Sequence, residues 1–196
     1  MKRILTFVAV TTVLLCSYSN ASMLKLGSVT IPQTAGEIVS FDLVVDTTPA
    51  FPVQAFQSAI SASGPGTLTL LAPYCENVAN ETSYWLSGNS DGVIVTTNVD
   101  GSISFSDTVS NGIAESMLGN EIVARYVFIW DGTVGDYTFT FDFSKSYALK
   151  NDFVTKHGLT FGPGKYAGND QSFTFYVPEP ASLALLVLGG FLIRKK

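Results

Sequence analysis

Apolar side chains recur at every second position along most of this 196-residue chain, and that period points to β-structure. Residues 136–143 show it most plainly, with Tyr137, Phe139, Phe141 and Phe143 alternating with Thr138, Thr140 and Asp142. In residues 121–130, Ile122, Ala124, Tyr126, Phe128 and Trp130 share one side. A strand sends successive side chains to opposite faces, so each run builds one face for a core and one for solvent. Residues 37–46 repeat the pattern, with Val39, Phe41, Leu43 and Val45 set against Ser40 and Asp42. Residues 53–63 place Phe56 and Ile60 opposite Ala55 and Ala59, and residues 67–71 form a further short β-rich run. Residues 93–97 and 102–106 are two strands joined by Asn98-Val99-Asp100-Gly101, where Asp-Gly accepts the positive φ of a tight hairpin. Asp131-Gly132-Thr133-Val134-Gly135 is turn chemistry again, and residues 171–177 align Phe173, Phe175 and Val177 in a last strand. Residues 108–120 break the period and are expected to hold a loop or a brief helix, and the glycine-rich residues 161–170 a loop. Short strands, frequent turns and no amphipathic helix predict an all-β fold, an antiparallel β-sandwich.

The two ends of the chain read differently. Lys2-Arg3, an apolar stretch over residues 4–15 and the small residues of Ser19-Asn20-Ala21 form a signal peptide, with signal peptidase cutting between Ala21 and Ser22. Cys16 leaves with that peptide; Leu15 precedes it where a lipidation site takes a small residue. At the other end stand Val177-Pro178-Glu179-Pro180, thirteen uncharged residues at 181–193, and Arg194-Lys195-Lys196. As a helix the uncharged run spans about 20 Å, short against about 30 Å of bilayer hydrocarbon. Pro180 suits a first helical turn, and the terminal cations stay cytoplasmic by the positive-inside rule. This tripartite tail resembles the PEP-CTERM sorting signal of Gram-negative bacteria that make extracellular polysaccharide. The resemblance implies that an exosortase reads Val177, Pro178, Glu179 and Pro180 and removes the tail. The protein would then pass through an inner-membrane intermediate, held by helix 181–193, to the cell surface or matrix. The plainer alternative is a membrane anchor that nothing cleaves. The expected organisation is a signal peptide at 1–21, an extracytoplasmic domain at 22–176 and a sorting signal at 177–196.

Between the two ends lie about 155 residues, one domain by size. Residues 22–177 carry fifteen acidic and six basic side chains, a balance that argues against nucleic acid as a partner and suits a soluble extracellular module. Cys75 is the one thiol left after export, so no intrachain disulfide can form and packing alone must hold the core. The strand at residues 36–45, the strand containing Phe56, Ala124-Arg125-Tyr126-Val127-Phe128 and Gly135-Asp136-Tyr137-Thr138-Phe139 together resemble cohesin-like and carbohydrate-binding-type sandwiches of the jelly-roll kind. Such domains commonly bind protein modules, calcium or glycans, but a shared fold does not fix function.

Catalytic chemistry is sparse. The single histidine, His157, excludes a two-histidine zinc site and lies in loop-like sequence. No Gly-x-Ser-x-Gly elbow and no phosphate loop occurs. Cys75 reads as a small buried thiol. A glycosidase needs two neighbouring acids, and Asp42 and Asp142 fall on polar strand faces as solvated carboxylates. Turn acids, among them Asp91, Asp100, Asp131 and Asp136, are candidate ligands for a structural calcium ion, alongside Asn89 and Asp107. Tyr84, Trp85 and Tyr166 are candidate flat faces for a sugar ring. The expectation is a non-enzymatic structural, adhesive or ligand-binding module whose partners are extracellular polysaccharide or matrix proteins. The alternatives are a secreted polysaccharide hydrolase working through a carboxylate pair, or a self-assembling matrix protein.

Overall fold

In the computed structural model, residues 24–32, 34–49, 51–159 and 172–177 are described. The described residues form eleven strands in two antiparallel sheets, eight of them from the runs expected to be strands. The first sheet has the order β1-β2-β7-β4, from Leu24–Thr30, Ile38–Val45, Ile122–Trp130 and Leu68–Leu70. The second is built on β3, Val53–Ser63. One edge of β3 pairs with β6 (Ile103–Thr108), which pairs with β5 (Ile94–Thr97). Its other edge is shared: the first half takes β9 (Tyr147–Lys150) and through it β10 (Lys156–Gly158), and the second half takes β8 (Gly135–Phe141) and through it β11 (Ser172–Val177).

The faces predicted to be apolar are the ones that meet. Val39, Phe41, Leu43 and Val45 of β2 and Ala124, Tyr126, Phe128 and Trp130 of β7 are buried. They face Phe56, Ile60, Phe105, Tyr137, Phe139, Phe173, Phe175 and Val177 from the second sheet. Aromatic rings lock the layers: Phe41 lies 4.9 Å from Phe139 and 4.8 Å from Phe173 between ring centroids. Both distances fall in the range where ring pairs attract beyond their area burial. Two polar bridges cross this layer: the Tyr126 hydroxyl lies 2.8 Å from Ser58 Oγ, and Trp130 Nε1 donates to the Tyr137 hydroxyl at 3.0 Å; burial pushes the Tyr126 phenol up from its ordinary range. Gly101 holds φ +81° at the β5–β6 hairpin, as Asp-Gly predicted.

Some elements carry too little pattern to foresee. β1, β9 and β10 are absent from the sequence-based expectation, as is α1, the five-residue helix Ala72–Glu76, followed by a 3-10 turn over Asn77–Asn80. Residues 109–121 run as turns and isolated bridges without a helix. His157 is exposed as expected, but on strand β10 rather than a loop, with its ring 4.8 Å from Phe51. Among the described residues no helix is long and apolar enough to cross a membrane. The signal peptide with Ala21 and Ser22, Pro178 to Pro180, the run 181–193, Arg194, Lys195 and Lys196 lie outside the described residues, as does Tyr166.

Candidate functional site

The outer faces of the two sheets differ in kind. On β7, alternation turns Val123 and Val127 outward, yet both are buried, because α1 and the turns after it pack across the first sheet. Cys75 is the pin of that cover. Its Sγ accepts the Val127 N–H at 3.2 Å, one residue past the point where β4 stops pairing with β7. Burial pushes this thiol up to about 11, so it is an inert packing group, as expected. Glu81 from the same covering segment reaches Arg125.

Asp42 is a correction to the sequence reading. It alternates to the polar face of β2, but it is only 4% exposed rather than solvated. Arg125 stands directly opposite it on β7 and clasps both its oxygens, Nε to Oδ1 at 2.6 Å and Nη2 to Oδ2 at 3.0 Å. The two carboxylates hold the guanidinium firmly in its charged form. Asp142, by contrast, is partly exposed and caps the short turn after β8, accepting the Ser144 N–H at 3.0 Å.

Among the described residues, the outer face of the second sheet is uncovered except where the turn at Phe143–Lys145 packs on β3, and it carries few charges. Cross-strand register lays hydroxyls in rows: Ser61, Thr140 and Ser172 in one, Ser63, Thr138 and Thr174 in the next. On the other side of β3, Ala59, Ser104 and Thr96 form a row, and Tyr147, Gln57, Ser106 and Ile94 another. Strand spacing sets these rows out on a grid of about 4.8 by 6.8 Å. A groove of about 890 Å³ lies against this face, lined among others by Gln57, Asn98, Ser104, Lys145 and Tyr147. Its polar walls are fixed in place: Gln57 Nε2 donates to the Lys145 carbonyl at 2.9 Å, and Asn98 Nδ2 donates to Ser104 Oγ at 2.8 Å. Two lysines line the groove: Lys145 is neutralised by Asp100 and Asp142, while Lys156 sits with its ammonium 4.1 Å above the Tyr147 ring.

The candidate residues from the sequence do not gather here. Tyr84 and Trp85, expected as exposed platforms, are buried at 2% and 5% exposure, and that expectation is corrected. Residues 83–85 pair with the start of β7, Ile122 N–H donating to the Ser83 carbonyl at 2.8 Å and Trp85 N–H to the Ile122 carbonyl at 3.1 Å. The Tyr84 hydroxyl is drawn inward, donating to Asp107 Oδ2 at 2.8 Å. Asp107 is the one acid on an inward strand face. It also accepts from Ser90 Oγ at 2.6 Å and the Thr108 N–H at 2.7 Å, so both its oxygens are engaged, and desolvation raises its pKa. This buried knot fastens the covering segment to β6; it explains why no solvent-facing acid pair forms there.

Of the candidate calcium ligands, Asp100 serves Lys145 and Ser102 in the β5–β6 turn, and Asp131 accepts the Thr67 and Thr133 N–H groups after β7. Asp136 is exposed on β8 and Asp91 lies in the turn after Ser90. Among the described residues no three acidic, His or Cys side chains come together as a metal cage.

No protein-family model matches the chain, and no curated protein matches it in sequence. Among solved structures it is similar to the seventh ScaB type I cohesin from Pseudobacteroides cellulosolvens, at 12% identity and TM-score 0.50, with 80% of this chain and 91% of that one covered. It is also similar to the cohesin module of a family 33 glycoside hydrolase from Clostridium perfringens, at 7% identity and TM-score 0.50, over 81% of this chain and 99% of that one. The fold is therefore a cohesin-like β-sandwich.

Proposed function

We propose that the chain is an exported, non-enzymatic binding module of the cell surface or extracellular matrix, and that it docks its ligand on the open outer face of the second sheet. The contrast between the two outer faces carries this reading: one is sealed by α1 and its neighbouring turns, while the other presents ordered hydroxyls, Gln57 and a groove. A large face with few charges and few mobile side chains loses little entropy and few hydrated charges on contact. Placing an arginine there, as Ser106→Arg or Thr140→Arg, adds bulk and a charge that must be desolvated. Each is expected to lower retention of the protein in the matrix fraction of the producing cells about tenfold, with unfolding midpoints unchanged. Normal retention of both variants would refute the sheet-face assignment. The hydrolase alternative would instead show release of reducing sugar from that matrix.

The sorting reading gains support from the position of Val177. It is buried and closes β11 against Gly135, so a cut after it leaves every strand of the sandwich intact. Exosortase processing predicts that Glu179→Ala accumulates in the inner membrane with its tail attached, read by intact mass of the recovered chain. A mature mass equal to that of the unaltered protein would point to another protease, and a tail still attached to the unaltered protein itself would point to the uncleaved anchor.

A further inference from the structure

The end of the sandwich remote from Val177 shows apolar side chains to water from two loop tips. Residues 151–155 turn between β9 and β10, with Phe153 47% and Val154 78% exposed; Ile113, in the loop after β6, is 65% exposed. Scattered apolar residues on a surface are ordinary. These are held in place by dedicated contacts. Gln54, buried on β3, inserts its amide between the tips, Nε2 donating to the Gly112 carbonyl at 2.8 Å and Oε1 accepting the Phe153 N–H at 3.0 Å. Asp152 accepts the N–H groups of Val154 at 2.9 Å and Thr155 at 2.7 Å, and Asn111 Oδ1 accepts that of Ile113 at 2.8 Å. Phe153 adopts φ +53°, a left-handed conformation that crowds its β-carbon and that an aromatic residue rarely takes. Such backbone persists where its surroundings over-determine it, and it concentrates at sites of function.

Charge at the tip differs from the rest of the domain. Lys150 and Lys156 flank the turn; their ammonium groups lie 5.0 Å from the Phe51 centroid and 4.1 Å from that of Tyr147, and neither forms an ion pair among the described residues. The turn's own acid, Asp152, accepts from the Thr155 hydroxyl and from the Thr155 and Val154 N–H groups, which hold its carboxyl low at about 2, and Glu115 in the neighbouring loop accepts from Asn89 at 2.8 Å. We propose that this tip docks on a bilayer with anionic headgroups. Ile113, Phe153 and Val154 enter the acyl boundary, and Lys150 and Lys156 lie at phosphate depth on their apolar stems. Convex tips suit a fluid apolar medium, and two lysines free of acidic partners supply the matching charge. The tip lies apart from the tail, since β11 leaves the fold at the opposite end, and it shares only Lys156 with the groove of the sheet face.

The test uses the full chain with Val154→Trp as a reporter, because Trp85 and Trp130 are buried. Vesicles of phosphatidylethanolamine and phosphatidylglycerol are expected to shift its emission to the blue, and brominated acyl chains to quench it. Ile113→Asp with Val154→Asp is expected to lower the vesicle-bound fraction about tenfold, and Lys150→Glu with Lys156→Glu to remove the preference over phosphatidylcholine. Attachment through residues 181–193 alone would leave the residue-154 emission unshifted, which overturns the proposal. A blue shift that grows with protein concentration in the absence of vesicles also overturns it, in favour of a second copy at the tip.

Discussion

Phe139→Ala is expected to destabilise the domain by about 3–5 kcal/mol, the range for removing a fully buried aromatic ring. Phe139 is 1% exposed and joins both layers: its ring centroid lies 4.9 Å from Phe41, 5.2 Å from Phe128, 5.3 Å from Phe173 and 5.8 Å from Phe175. Truncation leaves a void bordered by four rings anchored on β2, β7 and β11, and strands paired in register cannot close on it without breaking ladder hydrogen bonds. With no disulfide among the described residues, such a loss is a large part of a net stability of about 5–15 kcal/mol. The matched control is Val99→Ala at the β5–β6 hairpin, a fully exposed position where the change should stay within about 0.5 kcal/mol. Urea unfolding of both variants checks this: the midpoint should fall for Phe139→Ala alone, with the slope unchanged. Equal midpoints would mean that the ring cluster is not the centre of the core.

The fate of Phe139 was legible because β8 is seven residues long and alternates without interruption, so its inward face could be read directly. β11 alternates in the same way, and β2, β3 and β7 keep enough of the period for their large inward side chains to be read. β9 and β10, at four and three residues, are too short to display a period, and α1, at five, completes little more than one turn. These elements exist because of what they lie against. β9 pairs with β3, and α1 buries Cys75 over the outer face of β7. Only Cys75 in that cover was read correctly, as a buried thiol.

The candidate site was less legible than the fold. Tyr84 and Trp85 sit in a turn-rich stretch where no alternation distinguishes a platform from a plug, and their burial depends on Ile122, almost forty residues away in the chain. The open sheet face was written in the sequence as the threonines and serines between the aromatics of β8 and β11. What local sequence could not say is that none of the described residues folds back over them, while the equivalent face of β7 is covered. That asymmetry follows from where residues 71–92 cross between the sheets. Nor could alternation find Phe153, whose exposure and positive φ are set by Gln54, 99 residues earlier.

Arg125→Ala is expected to cost about 3 kcal/mol, more than an ordinary surface charge, because of what it leaves behind. Among the described residues the guanidinium is the sole cation bound to Asp42, whose side chain is 6% accessible, so its removal leaves the carboxylate unpaired and poorly hydrated. Glu81, more than a third accessible on the far side of the guanidinium, can turn to solvent when its partner goes. The loss therefore resides in the stranded carboxylate and not in the number of hydrogen bonds removed. Two consequences separate this account from a simple sum. Asp42→Asn in the Arg125→Ala background should recover stability, since a neutral amide costs less to bury than an uncompensated charge. Glu81→Ala alone should cost no more than about 1 kcal/mol, as expected of a partly exposed pair. Thermal unfolding would show the first change as a fall in midpoint of roughly 6–12 °C for a domain of this size. If Arg125→Ala and Glu81→Ala lower the midpoint equally, or if Asp42→Asn deepens the loss, the arginine holds this face together by packing its stem and not by neutralising a buried acid.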